Sequence, residues 1–185
     1  LVMIQQIVAL SRREGDVAIA LAPPKESRFV AHRLTDYGLG LYAAPSYLEN
    51  RPPILRRGDL ATHAFVGYVD DLVFTRGLDY LDEVVPGLKA RLQSSSLVTQ
   101  RAVTEEGHGL CVLPHFMARG RPGLVPVLAG EVELTRSYWL FTHGDVAESA
   151  RVRAFVRFAR AEIAAASAWF STGADQPSTG AQSEQ

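Results

Sequence analysis

Apolar residues along this chain come mostly in short runs separated by proline, glycine and polar clusters, a pattern of strands joined by turns and short helices. The opening VMIQQIVAL is rich in β-branched residues and reads as a strand, and GDVAIAL at 15–21 alternates and reads as another. Pro23 and Pro24 must end that second strand. RFVAHRL and LGLYAA are the third and fourth, with TDYG as the turn between them. Pro45 suits the first turn of a short helix, PSYLENR, which Pro52 and Pro53 stop. RRGDLATHAFVGY then predicts a turn of helix and a strand from Ala64 to Tyr68. VDDLVFTRGLDYLDEVVPGL has no clean period and reads as loop with some short helix. Beyond it ARLQS is a strand, Ser96 to Glu106 a helix, GLCVLP a strand and PHFMARG a helical turn, followed by the strands LVPVL and RSYWLFT. Such alternation of the two element types indicates an α/β fold.

The last predicted element is one helix from about Val146 to Phe170. Val152, Phe155, Val156, Ala159 and Ile163 recur at helical spacing and make its expected core face, with Arg153, Arg157 and Arg160 on another, solvated face. From Ser171 to Gln185 the chain has much Ser, Gly and Gln and almost nothing apolar, so a disordered tail is expected.

The composition is ordinary for a globular chain: 185 residues, 47% of them hydrophobic, with a formal charge of −1. No stretch is densely basic, so these residues carry no electrostatic footprint for nucleic acid. The single cysteine, Cys111, excludes an internal disulfide and a cysteine-only metal site, which suits a reducing compartment. No apolar run reaches the length of a membrane span, and the glutamines of the opening interrupt any signal-peptide core. A chain that starts at Leu1 inside an apolar run is expected to be a piece of a longer protein.

Candidate chemistry centres on SSSLVTQRAVTEEGHGLCVLP, residues 94–114. Cys111 and His108 are close enough in sequence for a nucleophile and base, but Leu110, Val112 and Leu113 around the thiol predict a buried structural cysteine. Ser94, Ser95 and Ser96 lack the Gly-x-Ser-x-Gly elbow of a serine hydrolase. The five histidines, His32, His63, His108, His115 and His143, make no pair at metal-ligand spacing. Gly107-His108-Gly109 follows a helix and precedes a strand, the reverse of a dinucleotide fingerprint. Gly107 fits the left-handed helix-ending position and Gly109 a tight turn into the next strand. Ser95 and Ser96 at a helix start either cap it or, with its free N–H groups and dipole, take the polar or anionic end of a ligand. No cofactor is implied.

The order of these segments resembles the effector-binding domain of LysR-type transcriptional regulators. LSRREGDVAIAL is similar to the family's strand and crevice loop, LGLYAAPSYL to the first crossover into a second lobe, and LVTQRAVTEEGHGLCVLP to the helix, Gly-x-Gly turn and strand lining the cleft. SYWLFT resembles the return crossover and VRAFVRFARAEI the closing helix. The resemblance implies a type 2 periplasmic-binding-protein-like α/β fold: two α/β lobes joined by two crossover strands with a cleft between them. Residues 1–44 and 141–170 would form the first lobe, lacking its N-terminal strand and helix, and residues 45–140 the second. The family's N-terminal winged helix-turn-helix has no counterpart here, so DNA would be bound through a domain absent from this chain.

By the family pattern the effector site falls at Ala22 and Pro23, at Gly67, Tyr68 and Val69, and at Ser95, Ser96 and Leu97, with Thr99 one turn into the helix. Strand termination explains Ala22 and Pro23 equally well, lobe packing explains Tyr68 and Val69, and helix surface explains Thr99. The implied protein is a cytoplasmic, non-enzymatic sensor of a small, organic, anionic effector, a homodimer or tetramer when complete, with no membrane association. A transport-type solute-binding protein of the same fold is the alternative. An enzyme on this fold would need a converging acid, base or nucleophile, and the residues present no such set.

Overall fold

Two long strands organise the molecule, a computed structural model that describes residues 15–23, 27–70 and 78–170. They are β2, Phe29–Ala43, and β7, Glu133–His143, which pair antiparallel from Phe29↔His143 to Gly40↔Glu133. Among the described residues seven strands join one sheet in the order β1-β7-β2-β5-β3-β4, with β6 also on β2. β1, Val17–Ala20, lies antiparallel on β7 at one edge. Towards the other edge come β5, Leu110–Pro114, antiparallel to β2, then β3, Phe65–Gly67, and β4, Leu92–Gln93, parallel to one another. β6, Val125–Val127, pairs with Leu41–Ala43 where β7 leaves β2. The helices are α1, Pro45–Glu49; α2, Tyr80–Val84; α3, Leu97–Glu105; α4, His115–Ala118; α5, Gly144–Ala147; α6, Ala150–Ala165; and α7, Ser167–Phe170.

Strand alternation divides the core between the two faces of the sheet. Tyr37, Leu39, Leu41 and Ala43 of β2 share one buried cluster with Phe65, Leu110 and Val112. Tyr42, Val66, Cys111 and Leu113 point the other way and pack with Leu97 and Val103 of α3. LGLYAA is therefore apolar throughout because both faces of β2 are covered there.

Two expectations from the sequence fail. TDYG is not a turn: Thr35–Gly38 continue β2, paired with Thr135–Tyr138 of β7 after a register shift between Arg33 and Thr35. Burial decides this, because Tyr37 is 2% exposed and stacks on Tyr138 at 4.6 Å, while Asp36 remains at the surface and accepts from Ser137 Oγ at 2.6 Å. A bulge bends the strand without ending it. The single helix from 146 to 170 is three. Ser149 adopts an extended backbone between α5 and α6, and Ala166 separates α6 from α7. Of the expected core stripe only Val152 is buried; Phe155 is 46% exposed, and Val156, Ala159 and Ile163 are half-buried. The described residues cover one turn of that stripe. Arg153, Arg157 and Arg160 are exposed as expected. The opening strand at 2–10 and the tail from 171 lie outside the described residues.

Candidate functional site

The start of α3 is held to the ends of the parallel strands by a small hydrogen-bond network. Ser96 is the N-cap, its Oγ accepting from the Thr99 N–H at 3.4 Å, and Ser94 Oγ accepts from the Ser96 N–H at 3.2 Å. The Ser94 N–H donates to the Gly67 carbonyl at 3.0 Å, which joins the serines to the end of β3. Gln100, 1% exposed, donates through Nε2 to the Ser94 carbonyl at 2.7 Å. It also accepts from the Cys111 thiol at 3.7 Å. Thr104 Oγ1 donates to the Gln100 carbonyl at 2.8 Å. One buried amide thus fixes where the first turn of α3 presents its N–H groups.

Gly67 and Tyr68 line a cavity of about 30 Å³ together with Gln100, Tyr80 and Lys89. Gly67 is needed there, since a Cβ would lie 3.0 Å from both Ala90 Cβ and Leu81 Cδ1. Val69 follows it, half-buried, and Leu97 and Thr99 are half-buried in the first turn of α3. Ser95 is buried beside them. Ala22 and Pro23 are exposed beyond β1, on the other side of the long strands from β3. The register of β1 ends at Ala20↔Trp139, next to Tyr138, and Leu21 packs against the same core cluster as Tyr68 and Tyr138. The structure therefore brings Gly67, Tyr68, Ser95, Ser96, Leu97 and Thr99 together and leaves Ala22 and Pro23 on the opposite side of the two long strands.

Between these parts sits a group of tyrosines that the residue pattern did not single out. Tyr37 and Tyr138 come from the two long strands, and Tyr68 meets Tyr80 edge-on at 5.9 Å. Arg136 lies over the Tyr80 ring at 5.3 Å and pairs with Glu83 at 2.5 Å. Reading TDYG as a turn hid Tyr37; the strand alternation of SYWLFT carried the signal for Tyr138. Burial is the main cause that pushes all four phenols upward, Tyr68 to about 12. They stay neutral, with Tyr37 and Tyr80 buried and Tyr68 and Tyr138 half-buried.

Cys111 is the structural thiol that its neighbours predict: it is buried, and that burial pushes it up to about 12 from 9.0. His108 is exposed and Cys111 is not, so the pair makes no nucleophile and base. Gly107 has φ +79 just past the end of α3, as a helix-ending glycine should. A Cβ on Gly109 would meet the Ala64 carbonyl oxygen at 2.7 Å, so close approach of β5 to the chain entering β3 requires that glycine. Among the described residues no three His, Cys, Asp or Glu side chains converge as metal ligands.

These groups predict an alkaline limit to stability. Cys111 and Tyr68 ionise less readily folded than unfolded, so their contribution is complete below the unfolded values and is lost as pH rises towards 12. The melting temperature is expected to fall progressively above pH about 9, the start of thiol ionisation in the unfolded chain. A flat melting temperature from there to pH about 11 would mean these groups are open to water in the native state.

The sequence matches the family model of the LysR substrate binding domain over residues 2–164. It is 26% identical over 166 residues to the HTH-type transcriptional regulator PtxR of Pseudomonas aeruginosa, which covers 80% of this chain and 49% of that protein. It is 26% identical over 137 residues to the Mau operon transcriptional activator of Paracoccus denitrificans, covering 72% of this chain and 43% of that one. The chain thus spans about half the length of the curated relatives it matches. Among solved structures, the regulatory domain of CrgA, a LysR-type transcriptional regulator from Neisseria meningitidis, superimposes with a TM-score of 0.68 at 22% identity, covering 83% of this chain and 78% of that one. The fold is the type 2 periplasmic-binding-protein-like α/β fold that the order of motifs implied. With the serine-led helix and Gly-x-Gly turn at 94–114 inside the matched residues, the chain belongs to the LysR substrate-binding domain family.

Proposed function

We propose that this chain is the ligand-sensing domain of a LysR-type, DNA-binding transcriptional regulator, and that a small organic anion is its effector. The observation that carries this reading is the bond from Ser94 to Gly67, which sets the N-terminus of α3 beside a strand end and the tyrosine group. The N–H groups of the first turn, with the helix dipole behind them, favour the anionic end of a ligand. Tyr68, Val69 and Leu97 supply shape and apolar contact, and Ala22 and Pro23 approach from the first lobe when the cleft closes. Residues 1–44 and 141–170 form that lobe and residues 45–140 the second, with β2 and β7 passing between them.

A ligand that binds the closed arrangement better than the open one shifts the equilibrium between them by its difference in affinity. That shift is the signal. In the complete protein it reaches DNA through a domain outside this chain and a homodimer or tetramer, in the cytoplasm and without turnover of the effector. No helix among the described residues is long and apolar enough to cross a membrane.

The test is a thermal-shift screen of the chain against small carboxylates, aromatic acids, amino acids and nucleotides. A ligand present at about 100 times its dissociation constant adds about 2.7 kcal/mol to the native state. Replacing Ser95 and Ser96 together by alanine is expected to cost about 0.5–2 kcal/mol as a lost cap. It should also weaken the selected acid. Equal affinity in the double variant would reduce the serines to caps, and conversion of the ligand to product would favour an enzyme.

A further inference from the structure

A second, larger cavity lies elsewhere. It has a volume of about 510 Å³, within the range of small-molecule sites, and shares no lining residue with the small cavity at Gly67 and Gln100. Its walls are α4, the loop at 119–124, β6 and the start of β7. Into this wall is built a relay that runs from a buried phenol to an exposed carboxylate: the Tyr42 hydroxyl lies 2.7 Å from His115 Nδ1, and His115 Nε2 lies 2.9 Å from Glu133 Oε2. Tyr42 and His115 are 8% and 6% exposed.

The chemistry of the partners sets the proton positions of the neutral ring. Glu133 can only accept, so Nε2 carries the hydrogen and Nδ1 accepts from Tyr42. Burial first, and the Glu133 charge second, push the Tyr42 phenol up to about 12, which keeps it a donor at neutral pH. Gly40 makes room for this relay, because a Cβ there would lie 2.8 Å from His115 Cε1. Two buried polar side chains joined to a carboxylate at the cavity wall are more than packing needs, since an apolar pair would fill the same space without burying a phenol and an imidazole.

The charges at the mouth say what would enter. Arg121 is paired with Glu105 at 3.2 Å, and Glu133 is engaged by His115. Arg119 has no carboxylate partner among the described residues; it lies over the Trp169 ring at 5.3 Å and reaches the Ala168 carbonyl at 3.4 Å. The charge without a carboxylate counterpart is thus an exposed guanidinium lining a cavity that Leu124 and Pro126 also line. Guanidinium binds carboxylate with two parallel hydrogen bonds, and that apolar lining suits a ring or short alkyl body.

We propose that this cavity is a second ligand site, for a small organic carboxylate whose anionic end is taken by Arg119, whose body lies on Leu124 and Pro126, and whose orientation is set by the Tyr42–His115–Glu133 relay. It is separate from the cleft at α3, and a failure here leaves the sensor reading standing.

The probe is cyclohexanecarboxylate, with cyclohexanecarboxamide as its uncharged counterpart, titrated into the isotope-labelled chain and followed by amide and histidine-ring NMR. The acid is expected to shift the His115 ring and the amides of residues 118–126 saturably, and the carboxamide to bind at least about tenfold more weakly, as loss of a charge-assisted pair implies. Arg119→Gln, at an exposed position, should weaken the acid by a similar factor with the rest of the spectrum unchanged. Tyr42→Phe should weaken it while leaving the Arg119 contribution in place. Absence of saturable shifts at 118–126, equal binding of acid and carboxamide, or shifts confined to Ser94–Gln100 would each overturn the proposal.

Discussion

Replacing Phe65 by alanine is expected to lower the unfolding free energy by about 3–5 kcal/mol, the range for emptying a buried aromatic site. Phe65 is 1% exposed and belongs to the cluster that also holds Leu39, Leu41, Leu110 and Val112. It sits in a three-residue strand between neighbours whose backbones are fixed by pairing, so the surroundings have little freedom to close on the void. Urea titration reads the loss as a lower midpoint with an unchanged slope. A loss near 1 kcal/mol would show that the space collapses, and that β3 is held less firmly between β5 and β4 than its register implies.

Gln100→Leu, which keeps most of the volume, should cost about 1–3 kcal/mol because it strands the Ser94 carbonyl without its buried donor. The loss of the Cys111 contact adds little, a thiol being a weak donor. The functional effect is expected to exceed the structural one. Gln100 holds Ser94, Ser94 bonds both Gly67 and the Ser96 N–H, and Ser96 caps α3. Loosening that chain moves the N–H groups offered to the effector, so affinity for an acid selected in the thermal screen should fall more than for Thr99→Ala. Comparing the two variants by calorimetry at matched temperature decides it. Unchanged affinity in Gln100→Leu would place the effector away from α3.

The helix at 97–105, its serine cap and its closing glycine were legible because each rests on a local rule: a hydroxyl beside free N–H groups, then a residue that tolerates positive φ. Cys111 was legible for a similar reason, its apolar neighbours predicting burial. TDYG misled because turn preference is weak beside the burial of Tyr37 against Tyr138, a contact between residues a hundred positions apart. The last helix misled in the opposite direction. Its stripe from Val152 to Ile163 is periodic enough to predict a core face, yet periodicity says only which residues share a side. Gln100 gave no signal at all, since a lone glutamine on a helix is ordinary until a carbonyl and a thiol are placed around it.

From the sequence alone came the α/β class, the serine-led helix and the family resemblance, all of which depend on neighbours along the chain or on the succession of motifs. Tertiary structure alone decided that β2 runs unbroken past Arg33, that Gln100 ties α3 to β5, that four tyrosines meet beside the two long strands, and that His115 lies between Tyr42 and Glu133. The physical reason is common to all four. Propensity and capping act over a few residues and typically amount to about 1 kcal/mol each. Burying an aromatic ring, or satisfying an amide in the core, is worth more and joins residues whose spacing in the sequence carries no period.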